Sequence, residues 1–128
     1  MNRTIILSGI IFGMLAVIFG AFGAHGLKSL LTESELQSFE TGVRYQMYHA
    51  IVLVIIGSIV KVPPHLKRGL LYFFTIGIVL FSFSIYLLAT NSLTAYDFAS
   101  IAFVTPIGGA FLIAGWGLFA YRVVKNLT

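Results

Sequence analysis

The amino-acid sequence predicts an all-α polytopic membrane protein with four transmembrane helices. Hydrophobic residues make up 59% of its 128 residues and charged residues only 9%, whereas soluble domains contain about 25% charged residues. A helix of about 20 residues spans a hydrocarbon core of roughly 30 Å. Four long uncharged runs account for most of the chain: Thr4 to Ala24, Tyr45 to Val60, Gly69 to Tyr96 and Phe98 to Tyr121. We therefore expect a single domain, residues 1–128, that crosses the membrane four times.

The same composition excludes several classes of function. The eight Lys and Arg residues stand at the ends of apolar runs and form no basic stripe, so we expect no nucleic-acid partner. The chain has no cysteine, which excludes disulfides and thiolate metal ligands. The sequence also shows no nucleophile with a neighbouring base, no glycine-rich phosphate loop and no paired carboxylates. We therefore expect no enzymatic activity and no cofactor.

The first apolar run contains a series of small residues. They are three and four positions apart, so they fall along one side of a helix: Gly9, Gly13, Ala16, Gly20 and Gly23. Their lack of bulk lets a second helix approach closely. We interpret the series as a packing seam. An alternative hypothesis is that the seam binds a membrane partner or a second copy of the chain, which would make the protein a non-catalytic membrane organiser.

Helix two is predicted to begin near Thr32. Thr32 and Glu35 match a capping box, in which each side chain bonds to the backbone of the other residue. The first turns are amphipathic, which is typical of an interfacial segment in the headgroup region. The apolar run that follows, Tyr45 to Val60, has only 16 residues. We therefore expect the helix to continue from Thr32 to Pro63, with Gly42 as a site for a bend.

Two prolines, Pro63 and Pro64, are predicted to end helix two. Basic residues bracket them and indicate a short basic loop: Lys61, Lys67 and Arg68. Helix three should then run from about Gly69 to Ala89.

Helix four is predicted to start near Tyr96 and Asp97. Pro106 follows Thr105 within this helix and removes one backbone hydrogen bond, so we expect a kink there. Aromatic and basic residues close the helix as interface anchors: Trp116, Tyr121, Arg122 and Lys125.

The positive charges predict the orientation of the four crossings. The face with both termini and the second loop holds six of the Lys and Arg residues, and the other face holds two, Lys28 and Arg44. Because cytoplasmic loops are enriched in Lys and Arg, both termini are expected in the cytoplasm. The protein is therefore expected to be a multi-pass protein of the cell membrane, with the lipid bilayer as its main partner.

The stretch from Thr41 to His49 contains the candidate binding residues. Arg44, Tyr45, Gln46 and His49 lie at the mouth of an apolar run, where polar groups are costly unless they have partners. Counting 1.5 Å per residue places His49 about 18 Å above Lys61, in the outer half of the membrane. The same count places Ser84 and Thr105 in that half.

We therefore predict one polar layer that forms an outward-facing pocket. The pocket would bind or transport a small solute or a proton. His49 is either such a site or a neutral imidazole that is hydrogen-bonded to Ser84 or to a freed carbonyl. Arg44 either pairs with Glu40 or binds an anion or a lipid headgroup.

His25 is the last candidate binding residue. By helical rise it lies about 15 Å from the level of His49, too far for both to bind one zinc ion. We predict no metal site. The full set of candidate binding residues is His49, Arg44, Tyr45, Gln46, Ser84, Thr105 and His25.

Three motifs occur in order along nearly the whole chain. They are Gly20 to Leu27 (GAFGAHGL), Tyr45 to Ala50 (YQMYHA), and Thr105 to Gly109 (TPIGG) with Gly115-Trp116. With these motifs the chain resembles a family of small bacterial membrane proteins of unknown function that has eukaryotic relatives of similar size. The resemblance implies a four-helix fold and a cell-membrane location, and it implies no activity.

Overall fold

The computed structural model describes residues 1–127, and its regular structure is entirely helical. Helix α1 spans Arg3–His25 and α2 spans Glu33–Ser58. Helix α3, Pro64–Ile78, continues through a π-helical turn, Val79–Phe83, into α4, Ser84–Ala89. Two 3-10 turns, Asn91–Leu93 and Phe98–Ile101, precede α5, Val104–Asn126. The prediction of an all-α fold is confirmed.

Within residues 1–127, three segments are both long and apolar enough to cross a membrane: Arg3–His25, Pro64–Ala89 and Phe98–Asn126. Helix α2 has 26 residues and is longer than α1, but its first turns are polar. Buried apolar side chains form a cluster on the half of the bundle with the amino terminus, centred on Leu53, Phe74 and Leu112. A smaller cluster around Phe39 and Tyr86 lies at the opposite end.

Helices α1 and α2 pack side by side along the predicted small-residue seam. A methyl group on Gly9 would lie 2.6 Å from the carbonyl oxygen of Ala50, and one on Gly23 would lie 2.9 Å from the ring of Phe39. Ala16 is also buried. The seam is therefore filled by α2 of the same chain, which confirms its interpretation as a packing seam.

Helix α2 begins as predicted and ends earlier than predicted. Thr32 Oγ1 accepts from the backbone N–H of Glu35 at 3.1 Å, and Glu35 Oε1 accepts from that of Thr32 at 2.9 Å, which confirms the capping box. The helix is unbroken at Gly42, where a methyl group would lie 2.8 Å from the ring of Tyr86. Gly42 thus permits close contact with α4. The helix stops at Ser58, short of Pro63.

Helix α3 begins at Pro64, five residues before the predicted start. Proline suits the first turn of a helix because its missing N–H would have no partner there. As a result, Lys67 belongs to the helix and is only 1% exposed. Its ammonium group donates to the carbonyl oxygens of Gly57, at 3.5 Å, and Ile59. The prediction that Lys67 lies in the basic loop is wrong, because it belongs to α3 and its ammonium caps the carboxyl end of α2.

The α5 helix lies against the π-helical turn. A methyl group on Gly108 would lie 2.3 Å from the backbone nitrogen of Phe81, so only glycine allows this approach. Pro106 falls in the first turn of α5, where its missing N–H costs nothing. The predicted kink inside helix four is therefore wrong: 3-10 turns precede Pro106, and the α-helix starts at Val104.

Candidate functional site

His49 belongs to α2; its side chain faces α5 and the residue is 4% exposed. Its Nδ1 is 2.6 Å from the carbonyl oxygen of Tyr45, one helical turn earlier. Its Nε2 is 3.0 Å from Nε1 of Trp116, on α5. An indole N–H can only donate a hydrogen bond and a carbonyl oxygen can only accept one. The imidazole is therefore neutral, with its proton on Nδ1.

Aromatic rings from three helical segments surround this imidazole. The ring centroid of Phe74, on α3, is 5.8 Å from that of His49, and the centroid of Trp116 is 5.9 Å away. Tyr45 lies 6.3 Å away and also contacts Phe81 of the π-helical turn. The hydrogen bond to Trp116 thus joins α2 to α5 within an aromatic cluster.

Two adjoining recesses share Tyr45, His49 and Trp116 as walls, and we call them together the His49 groove. One recess has a volume of about 480 Å³ and is also bounded by Tyr48, Ile51 and Val52. The other has a volume of about 290 Å³ and is also bounded by Phe81, Gly109, Leu112 and Ile113. No charged side chain is among these lining residues of the described chain.

The rim of the His49 groove is apolar and open. Ile113 is 74% exposed and Trp116 is 47% exposed on the α5 side. Tyr48 and Ile51 form the exposed rim on the α2 side. The groove therefore opens sideways, between the outer faces of two helices.

Gln46 forms a separate buried link. Its Nε2 donates to the carbonyl oxygen of Phe12 at 2.8 Å, and its Oε1 accepts from the hydroxyl of Tyr86 at 2.6 Å. The side chain is fully buried. Gln46 therefore ties α1, α2 and α4 together.

Ser84 and Thr105 form a pair at some distance from His49. Their hydroxyl oxygens are 2.6 Å apart, and Ser84 Oγ is also 2.9 Å from the carbonyl oxygen of Phe81 in the π-helical turn. Ser84 comes ten residues after Phe74, which contacts His49, so the two levels differ by about 15 Å. The predicted single polar layer, and the predicted bond between His49 and Ser84, are therefore wrong.

His49 also lies lower in the bundle than predicted. We call the end of the bundle that carries Lys67 and Arg122 the basic end. Phe74 and Trp116, which contact His49, come seven residues after Lys67 and six before Arg122, so the imidazole lies about 10 Å above the basic end. The sequence-based count began at Lys61, which lies beyond the end of α2. His49 thus belongs to the half of the bundle next to the basic end.

The other two candidate binding residues are exposed and lie apart from His49. Arg44 Nη2 donates to Thr41 Oγ1 at 3.1 Å, in place of the predicted pair with Glu40. His25 is the last residue of α1 and is exposed. The structure thus places Tyr45 beside His49, Gln46 on another face of α2, and the remaining candidates elsewhere.

Sequence reasoning missed Trp116 as a partner of His49. It assigned Trp116 to the membrane interface because tryptophan is enriched there. The two residues are 67 positions apart, and no local pattern connects them. The signal available in the sequence was that Trp116 is six residues from the basic end of the helix, too far inside for an anchor.

A family model described as "Protein of unknown function (DUF423)" matches residues 19–109. The UPF0382 membrane protein YwdK of Bacillus subtilis is 36% identical over 129 residues, which cover 98% of this chain and 99% of the relative. A UPF0382 membrane protein of Staphylococcus saprophyticus is 39% identical, over 96% of this chain and 98% of its own length. No solved structure gives a significant match.

The UPF0382 inner membrane protein YgdD of Escherichia coli is 34% identical over 127 residues, covering 97% of this chain and 92% of the relative. The names of these relatives place them in a membrane and assign no enzymatic activity. The predicted membrane nature of the chain is confirmed.

Proposed function

The chain belongs to the DUF423 family of membrane proteins, and we propose that it is a non-catalytic membrane protein that binds a bilayer-soluble molecule in the His49 groove. The observation that carries the proposal is the groove itself, a recess with aromatic and aliphatic walls and a partly polar floor between α2 and α5. Binding sites for small molecules are typically concave, mostly apolar and supplied with a few placed polar groups.

We propose that the chain crosses the membrane four times and that α2 is the second crossing. Its 26 residues correspond to about 39 Å of helix, which exceeds the hydrocarbon core of roughly 30 Å. Helix α2 packs along the full length of α1: Asn2 N–H donates to the Gly57 carbonyl at one end, and Gly23 contacts Phe39 at the other. A helix that stays alongside a membrane-spanning helix must cross with it. The polar first turns then lie in the headgroup region.

Both termini are proposed to lie in the cytoplasm, because the basic end of the bundle carries six Lys and Arg residues. Cysteines introduced at Lys61 and Ser92, both exposed, should label from opposite sides of the membrane. If an impermeant reagent labelled Lys61→Cys in intact cells, the orientation would be reversed. Labelling of Lys61→Cys from the same side as Lys28→Cys, an exposed position before α2, would remove the α2 crossing.

The exposed rim supports an entrance from lipid. Ile113, Ile51 and Trp116 would meet acyl chains if α2 and α5 both cross the bilayer. At about 10 Å above the basic end, the groove would lie at the depth of the acyl chains of the cytoplasmic leaflet. A molecule dissolved in that leaflet could enter without passing through water.

The hydrogen bonds of the polar side chains inside the bundle argue against transport of a solute or a proton. Gln46, His49 and Ser84 each bond to partners within the chain. His49 and the pair formed by Ser84 and Thr105 lie at levels of the bundle about 15 Å apart. Phe81, an apolar residue three positions before Ser84, contacts Tyr45. This arrangement favours binding at one level over passage between levels.

The experiment that tests the proposal compares two glycine variants of α5. Gly109 lines the groove, and a methyl group there would have ordinary contact with Phe81 at 3.7 Å, whereas Gly117 has no atom within 4 Å. Gly109→Leu should fill the groove, and Gly117→Leu should add the same bulk on the open face of α5. Each protein is purified from membranes in mild detergent, and its bound small molecules are identified by mass spectrometry.

The proposal predicts a molecule that is retained by the unmodified protein and by Gly117→Leu at a fixed stoichiometry, and that is depleted in Gly109→Leu. Equal retention by all three proteins would show that binding occurs outside the groove and would overturn the proposal. Thermal unfolding of each variant verifies that Gly109→Leu remains folded.

A further inference from the structure

We propose that the molecule bound in the His49 groove is an uncharged, ring-bearing alcohol or phenol whose hydroxyl inserts between His49 and Trp116. This inference rests on the proposed function of the groove and specifies its ligand class. It follows from three features of the groove: the hydrogen-bonding roles of its two facing nitrogens, the absence of charge among its described lining residues, and its aromatic walls.

The two facing nitrogens have opposite and fixed roles. Nε2 of His49 accepts, because its partner indole can only donate, and Nε1–H of Trp116 donates. A group that inserts between them must therefore donate to one and accept from the other. A hydroxyl does both with a single oxygen atom, whereas an ether or a ketone can only accept and a hydrocarbon can do neither.

Insertion exchanges one hydrogen bond for two. The nitrogens, now 3.0 Å apart, would have to separate to roughly 4.5 Å to place an oxygen at normal hydrogen-bond distance from each. Trp116 has room for this movement because its side chain is 47% exposed at the rim. His49 stays in place through its bond to the Tyr45 carbonyl.

The lining residues determine the charge of the ligand. Neither recess is lined by a Lys, Arg, Asp or Glu side chain within the described part of the chain. A charged headgroup would lose its hydration without gaining a partner. This excludes phosphates, quaternary amines and ionised carboxylates, so the group that inserts must be uncharged.

The walls favour a planar ring. Tyr45, Tyr48 and Trp116 line one recess, and Tyr45, Phe81 and Trp116 line the other. Aromatic rings pack favourably in offset or edge-to-face arrangements. A phenol or a similar ring alcohol would therefore gain contacts from both sides while its hydroxyl reaches the paired nitrogens.

Three probes of nearly identical shape test the inference: 4-hexylphenol, 4-hexylanisole and hexylbenzene. The phenol donates and accepts, the anisole accepts only, and hexylbenzene does neither. The chain has one tryptophan, so a ¹⁵N-labelled sample in detergent micelles gives a single indole N–H resonance, which reports directly on Trp116. Each probe is titrated against that resonance.

We expect a saturable shift with 4-hexylphenol, and affinity about ten-fold weaker for the anisole because it leaves His49 Nε2 without a donor. In His49→Phe the phenol and the anisole should bind with similar affinity, because the N–H of Trp116 can still donate to either oxygen. His25→Phe, which makes the same change at an exposed position away from the groove, should keep the preference for the phenol.

Two other outcomes are decisive. If all three probes saturate with equal affinity in the unmodified protein, the groove binds bilayer-soluble molecules as proposed and the hydroxyl inference is overturned. If every probe gives a shift that rises linearly with its concentration in the micelle, no binding site exists in the groove, and the proposed function fails together with the inference.

Discussion

Nε1 of Trp116 lies 3.0 Å from Nε2 of His49 and donates its hydrogen to it. This contact joins α2 to α5 through two residues that are 67 positions apart in the sequence, and it determines which imidazole nitrogen carries the proton. It is also the floor of the groove between α2 and α5. The stability of this contact therefore controls both the packing of α5 and access to the proposed binding site.

Protonation of His49 should break this contact, because an imidazolium has two N–H donors and would face the indole N–H with no acceptor. On acidification toward pH 4, the indole N–H resonance of Trp116 should shift in a single transition. His49→Gln should abolish the transition, whereas His25→Gln and His65→Gln should retain it. A transition that persisted unchanged in His49→Gln would contradict the assigned hydrogen bond.

Gly108→Ala should be strongly destabilising, because the added methyl group would lie 2.3 Å from the backbone nitrogen of Phe81. Overpacking of this kind costs about 1–3 kcal/mol. Gly117→Ala is the matched control in the same helix, with no atom within 4 Å of the added methyl group. Thermal unfolding in detergent should give a lower midpoint for Gly108→Ala only. Equal midpoints would show that α5 does not pack against the π-helical turn.

Lys67→Met should destabilise the junction of α2 and α3. Methionine approximates the length of the lysine stem but cannot donate to the carbonyl oxygens of Gly57 and Ile59. The Gly57 carbonyl keeps its bond to the N–H of Asn2, so the loss falls on the Ile59 carbonyl. Leaving a partly buried carbonyl without a partner costs about 1–3 kcal/mol. Lys61→Met, at an exposed position nearby, is the control. Chemical unfolding should distinguish the two variants, and a stability of Lys67→Met equal to that of Lys61→Met would contradict the capping role.

The capping box at the start of α2 should make stability depend on pH. The backbone N–H of Thr32 donates to the Glu35 carboxylate and lowers its pKa below the ordinary value of 4.5. A carboxylate whose pKa is lowered by folding stabilises the fold above its unfolded pKa, and this stabilisation is lost as the pH falls through the folded pKa. Melting midpoints should therefore decrease below about pH 4.5, and less so in Glu35→Gln.

Glu33→Gln is the control for this measurement, because it leaves the bonds between Thr32 and Glu35 intact. It should follow the unmodified protein over the whole pH range. If Glu35→Gln had the same pH dependence as Glu33→Gln, the carboxylate would not contribute to the cap.

Features encoded by neighbouring residues were predictable from the sequence. The capping box of Thr32 and Glu35 and the seam through Gly9 depend on spacings of three and four residues, which helical geometry converts directly into contacts. The extent of α1 followed from apolar length alone.

Features that depend on which helices meet were not predictable in the same way. Lys67 is buried because Pro64 can begin a helix as well as stop one, and the sequence does not choose between these uses. The π-helical turn at Phe81 is formed against Gly108, 27 positions away. Similarly, Tyr45 and His49 are one helical turn apart and line the same groove, whereas Gln46 is about 100° from Tyr45 around the helix and bonds to α1 and α4.

The central claim is that the His49 groove opens to lipid, and the fluorescence of Trp116, the only tryptophan, tests it most directly. The protein is placed in vesicles that contain phosphatidylcholine brominated in the acyl chains, and in parallel vesicles to which aqueous iodide is added. Our account predicts strong quenching by the brominated chains and little by iodide. Strong quenching by iodide on either side of the membrane, with weak quenching by the brominated chains, would show a water-filled pocket and contradict the account.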